Sequence, residues 1–168
     1  MDKDKSKKFK SKKRPKREKP EFEQKLLDLA RVTRVVKGGR RFSFRATMVI
    51  GDRKGRVGVG VGKGTDVSIA INKAVNQAKK KMINVDIYNG TIYHDVDIKL
   101  GSAKIMFKPA KEGRGIVAGG AVRAVVDLAG IKDIVSKSLG TSNKLNVARA
   151  TVEALKEVKS PKEEEGKK

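Results

Sequence analysis

The chain has 168 residues, 38% hydrophobic and 36% charged, with a net charge of +22 from 41 Lys and Arg against 19 Asp and Glu. That length fits one ordinary domain or two small ones around a thin core. The absence of Cys excludes disulfides, thiol catalysis and cysteine-ligated zinc, and no apolar run reaches membrane-spanning length, so no membrane partner is expected.

The positive charge is concentrated in the first half of the chain, and a field of this size attracts polyanions, nucleic acid before acidic lipid. Residues 1–20 are lysine-rich and nearly free of apolar groups, which predicts a disordered basic arm. They carry no apolar secretory segment, so a cytoplasmic location is expected. The segment 160–168 reads as a charge-balanced disordered tail.

Residues 21–83 read as three strands and a helix. A first strand is expected over 28–36, ending in a hairpin loop at Lys37, Gly38 and Gly39. The next strand alternates: Phe42, Phe44, Ala46, Met48 and Ile50 form an apolar face, with Arg41, Ser43, Arg45, Thr47 and Val49 on the other. The turn GDRKG (51–55) then leads into GRVGVGVGKGTD (55–66).

That glycine-rich stretch resembles a phosphate-binding loop but fails both nucleotide patterns. A G-x-x-x-x-G-K-S/T loop would need glycine where Val57 stands and a hydroxyl where Gly64 stands. A G-x-G-x-x-G loop starting at Gly60 meets Thr65 in its third place. What remains is alternation, with Val57, Val59 and Val61 on one face and Gly58, Gly60 and Gly62 on the other. The bare face is open to a helix, another chain or RNA. Asp66 then suits an N-cap, and Val67, Ile71, Ala74, Val75, Ala78 and Met82 form a helical stripe.

Residues 84–159 read as a second α+β domain. Asn89-Gly90 suits a type I′ turn. Strands are expected over 92–100 and 102–108, a helix over 118–130 stopped by Gly130, and a strand over 133–139. A helix over 144–158 follows, capped by Asn143, with the stripe Leu145, Ala148, Val152 and Leu155.

Between Arg31 and Lys63 the only acid is Asp52. The cations there, Arg31, Arg34, Lys37, Arg40, Arg41, Arg45, Arg53, Lys54, Arg56 and Lys63, lie in turns or on strands from which long side chains can reach successive phosphates. Phe42 and Phe44 belong to the apolar face, and Gly39 stands where the RNP1 pattern requires an aromatic, so phosphate and shape recognition is favoured over base reading. Lys111, Arg114, Gly119, Gly120 and Arg123 surround a second glycine-rich loop before a helix start, where free N–H groups attract phosphate. The lone His94, beside Asp95 and Asp97, gives little support to catalysis, and neither an enzyme, a metal nor a cofactor is expected.

Four blocks in order, VKGGRRFSF (36–44), GRVGVGVGKG (55–64), GRGIVAGGAVRAVVDLAG (113–130) and NVARATVEAL (146–155), resemble the ribosomal protein S-five family of the bacterial small subunit, over about residues 24–158. The resemblance implies an N-terminal domain related to double-stranded-RNA-binding modules and a C-terminal two-layer α/β domain with a left-handed βαβ crossover. It also implies binding to small-subunit rRNA, contact with small-subunit proteins four and eight, and support of accurate decoding. By position, Lys37, Gly38, Gly39 and Arg40, flanked by Thr33 and Arg34, match the family's loop linked to spectinomycin response. Arg31 and Arg40 match basic positions near the mRNA entry path. Ser68 stands where the family often has proline, Gly64 where alanine is common, and Val59 and Val61 replace bulkier residues. A free-standing double-stranded-RNA binder or RNA chaperone is the alternative.

Overall fold

The computed structural model describes residues 21–158; the arm expected at 1–20 and the tail at 160–168 lie outside the described residues. Strands β1 (Glu23–Val36), β2 (Gly39–Gly51) and β3 (Arg56–Gly64) form an antiparallel meander, followed by α1 (Val67–Lys80) and a short β4 (Ile83–Asn84) that pairs with Arg56 and Val57. The expected three-strand module thus gains a fourth strand, too short at two residues for its alternation to be read. β1 also begins at Glu23 rather than at 28. A bulge between Leu26 and Asp28 shifts its register there and interrupts the period-two pattern that would have revealed it.

The glycine strand receives a helix. Gly58, Gly60 and Gly62 face α1 so closely that a Cβ on any of them would overlap the backbone carbonyls of Ala78, Ala74 and Ala70 respectively. Those alanines are fully buried, so small residues on both sides let backbone approach backbone. Ala70 was absent from the expected stripe, whose Val67 and Ile71 are only half-buried. Asp66 caps the helix as expected, its Oδ1 accepting the Val67 N–H at 3.0 Å.

The opposite face of the same strands enters a second core. Val49, Val57 and Val59 are buried there with α2 (Gly120–Ala129) and α3 (Lys144–Glu157). Behind those helices lies a second sheet of β5 (Val96–Leu100), β6 (Ala103–Pro109), β7 (Ile116–Val117) and β8 (Ile134–Gly140), in the order β5-β6-β8-β7. Its inner face supplies Val96, Ala103, Ile105, Phe107 and Ile134 to that core. The fully buried Phe107 side chain contributes about 1.5–3 kcal/mol relative to exposure. The layers therefore run helix, sheet, helices, sheet. Among the described residues no helix is long and apolar enough to cross a membrane.

β7 and β8 are parallel neighbours joined through α2, a βαβ unit. β7, at two residues, is too short for its alternation to be read in the sequence. The strand expected over 92–100 shrinks to β5, because the segment before it turns inward to bury Ile92. Asn89 and Gly90 do form the I′-type turn, at φ 45° and 81°, but it closes on a single bridge, Tyr88 to Thr91. Gly130 ends α2 in the left-handed region at φ 94°.

Beside their shared core, the two units also meet through backbone. The Arg53 N–H donates to Leu128 O (3.0 Å), Gly55 N–H to Ala129 O (2.8 Å) and Val85 N–H to Gly55 O (2.8 Å). A Cβ on Gly51 would overlap Leu128 O, and one on Gly130 would overlap Arg53 O.

Gly60→Ala forces a methyl into the α1 backbone and should destabilise the fold by about 1–3 kcal/mol or more. Gly38→Ala meets open space and should stay within about 0.5 kcal/mol of the parent. Urea midpoints at constant slope check both.

Candidate nucleic-acid interface

β2 pairs with β3 only from Phe44 inward, where Phe44 faces Gly64. Beyond that point the β1–β2 hairpin continues alone as a two-stranded ribbon, turning at Lys37 and Gly38 before Gly39 at φ 139°. The register places Arg34 directly opposite Arg41, and Arg45 directly opposite Lys63. By strand alternation all four lie on the face away from α1, and all four are exposed. Directly opposed residues hold their Cβ atoms within roughly 5.5 Å, so like charges there repel. None of the four has a carboxylate at ion-pair distance among the described residues. A polyanion laid along this face relieves that repulsion.

The same face of β2 changes character along its length. Arg41 and Arg45 are exposed, whereas Thr47, Val49 and Gly51 are buried against the second unit. The α1 face changes in parallel. Ala46, Met48 and Ile50 are buried, Phe44 is half-buried, and Phe42 is 46% exposed. The expectation that Phe42 belongs to the core is therefore corrected, because α1 and β3 end before reaching it. Instead the Arg31 guanidinium lies 3.6 Å from the centre of its ring. Thr33, Lys37 and Arg40 complete the exposed surface of the ribbon.

The other cations of this block are elsewhere. The twelve steps of β2 separate the hairpin tip from the β2–β3 turn by roughly 40 Å, so Arg53, Lys54 and Arg56 are not part of one patch with Lys37 and Arg40. Arg53 is held by Glu23 at 2.9 Å and approaches Asp127 at 3.9 Å. Arg56 Nε donates to Asp52 at 2.7 Å, and its guanidinium lies 3.6 Å from Glu21. Lys54 remains exposed, while its backbone N–H donates to Asp52 at 2.8 Å.

Asp52 organises this turn. Burial of its carboxyl pushes the pKa up, but the hydrogen bond from the Arg56 side chain, the Lys54 and Arg56 N–H groups and the Arg56 charge together hold it below the ordinary value. Its hydrogen bond with Asp52 raises Arg56 in turn. Arg56 thus has a structural partner that spacing alone did not reveal.

Lys111, Arg114, Gly119, Gly120 and Arg123 come together around the β6–β7 loop and the start of α2, all exposed. Gly113 and Gly115 take φ of 85° and 75°, and the Gly115 N–H donates to Asp133 Oδ1 at 2.7 Å. Arg123 Nη2 donates to Ile116 O at 3.2 Å and so folds back on this loop. α2 has no side-chain cap, leaving the amides at Gly119 and Gly120 on a groove of about 420 Å³ shared with Lys25 and Lys144. Both lysines were missed, since only the tertiary fold brings β1 beside α2 and α3. They approach Asp127 at 3.8 Å and Asp28 at 3.2 Å respectively.

The outer face of the second sheet was also missed. Lys99 opposes Lys104, with Lys108 and Lys137 nearby and exposed. The alternation of β5, β6 and β8 was a signal that could have found them. His94 is exposed and Asp95 engages Lys108 at 3.8 Å. Among the described residues no group of three or more His, Cys, Asp or Glu could hold a metal.

Residues 22–86 match the family model for ribosomal protein S5, N-terminal domain, and residues 98–168 match that for ribosomal protein S5, C-terminal domain. Among curated proteins the chain is similar to small ribosomal subunit protein uS5 of Campylobacter jejuni strains 81-176 and RM1221. Each is 54% identical over 135 residues, covering 80% of this chain and 92% of the relative.

The Asp52 shift has a defined pH consequence. A carboxyl whose pKa is lowered on folding contributes stability above its unfolded value near 3.9, and that contribution is lost as pH falls through the folded value. The stability difference between the parent and Asp52→Asn should therefore be constant above about pH 5 and shrink below about pH 4. Urea midpoints measured from neutral to acid pH check it.

Proposed function

Because the chain belongs to the ribosomal protein S5 family, we propose that it is a structural component of the small ribosomal subunit that binds rRNA through the ribbon and the glycine-rich loop. The observation that carries this reading is the two directly opposed cation pairs, Arg34 with Arg41 and Arg45 with Lys63, which have no carboxylate partner among the described residues. Successive phosphates neutralise them, and the released counterions drive binding without base recognition. Lys37, Gly38 and Gly39 extend the contact to the tip, where the reading places the mRNA entry path and an influence on decoding accuracy, and Arg31, Thr33 and Arg40 add contacts on the α1 face of the ribbon. Lys111, Arg114, Gly119, Gly120 and Arg123 form a separate contact region at the start of α2, Lys54 offers an isolated contact on the β2–β3 turn, and Arg53 and Arg56 serve the turn first.

In the same reading residues 21–83 are a double-stranded-RNA-binding-like domain and residues 84–159 a two-layer domain whose βαβ crossover is left-handed. Small-subunit proteins four and eight are its neighbours, and it works on the ribosome in the cytoplasm. No catalytic step and no cofactor enter this function.

Two measurements test it. The tagged full chain, run from lysate through a high-salt sucrose gradient, should co-migrate with small subunits; recovery only at the top of the gradient would refute the ribosomal role. In RNA titrations across salt concentration, Arg34→Gln/Arg41→Gln should lower the slope of log K against log salt by about 0.7–0.9 for each phosphate contact removed. An unchanged slope would exclude this face from the interface.

A further inference from the structure

We propose that Arg31 and Phe42 form a stacking platform for one unpaired nucleobase, which adds base recognition to the phosphate contacts of the ribbon. The inference rests on the RNA-binding reading above and goes beyond it, because phosphate neutralisation alone leaves an exposed aromatic without a role.

Phe42 opposes Thr33, and Arg31 opposes Phe44, so Arg31 and Phe42 are diagonal neighbours on one face of the ribbon. Phe44, one step inward, packs against the α1 core, whereas Phe42 lies past the end of β3 and keeps 46% of its surface exposed. At 3.6 Å from the ring centre the Arg31 guanidinium is stacked on the ring, and Arg31 is itself exposed. Among the described residues Arg31 has no carboxylate at ion-pair distance that would draw it off the ring.

Unpaired RNA bases stack both on aromatic rings and on arginine planes. The surroundings select a nucleotide over an apolar peptide. Arg40 lies two strand steps before Phe42 on the same face, roughly 6.6 Å toward the tip, which suits a cation for the phosphate of a base stacked at Phe42. Val35, opposite Arg40 and 76% exposed, widens the apolar floor. A paired duplex has no base free to enter this stack, so the platform selects RNA with an unpaired nucleotide.

The test uses the full chain and two RNA hairpins, one carrying a single unpaired 2-aminopurine in its stem and one abasic at that position. Binding should quench the 2-aminopurine and favour the base-bearing probe on the order of tenfold. Phe42→Leu, which keeps bulk and every cation, and Arg31→Lys, which keeps charge without the plane, should each abolish the quench and bring affinity down to that for the abasic probe. Phe42→Leu should leave the abasic affinity and its salt dependence unchanged. Equal, salt-sensitive binding of both probes by the parent protein would overturn the platform while leaving the phosphate reading intact. Salt-insensitive binding of both would overturn the two together. A quench retained in Phe42→Leu would also overturn the platform. So would equal binding of both probes by the parent protein joined to loss of small-subunit co-migration in Phe42→Leu, an outcome assigning Phe42 to a protein neighbour.

Discussion

The approach of α1 to β3 is the contact on which the remaining architecture depends. Gly58, Gly60 and Gly62 leave no side chain between the strand and the helix, and Ala70, Ala74 and Ala78 supply the matching small surface. Glycine in a strand sacrifices packing and backbone entropy, and here the sacrifice is offset by the depth to which α1 settles. The valines of the same strand point the other way, and two of them, Val57 and Val59, enter the core shared with α2 and α3. One nine-residue strand thus carries α1 on one side and anchors the second unit on the other.

This double cover stops partway along the sheet, and the stopping point separates folding from function. Inward of it β2 is buried on both faces; outward, its face away from α1 carries exposed arginines and its α1 face carries Phe42. An isolated two-stranded ribbon is marginally stable, and like-charged residues set opposite each other weaken it further. The ribbon therefore draws its order from the doubly covered base of its own strands. Its opposed cations have no carboxylate at ion-pair distance among the described residues, and a polyanion laid against them would relieve their repulsion.

Local chemistry was legible in the sequence. The Asp66 cap, the Asn89-Gly90 turn and the Gly130 stop each depend on one or two residues and their own backbone, and all stand where the sequence places them. Alternation along β2 and β3 was legible too, including the glycine face, though not what covers it. The extent of cover was hidden because it is a tertiary property. Nothing in FSFRATMVI marks where α1 and the second unit stop, so Phe42 read as core and Val49 as part of a polar face. Long-range ion pairs were hidden for the same reason. Arg53 and Lys54 are adjacent in the chain and chemically alike, yet only Arg53 meets Glu23 and Asp127. The short β4 and β7 carry too few residues to have a pattern and exist through their partners.

The backbone clasp between the units has a mechanical consequence. Its bonds join Arg53, Gly55 and Val85 to each other's turn and to the end of α2, at the far end of β2 from the hairpin. The hairpin tip lies roughly 40 Å from this clasp, with β2 covered on both faces from Ala46 inward and free only toward the tip. An angular play of about three degrees between the units at the clasp moves the tip by about 2 Å over that length, as much as the difference between a hydrogen bond made and one lost. Substitutions that loosen Gly51, Gly55 or Gly130 therefore act as pointing errors at the tip, misplacing groups they never touch.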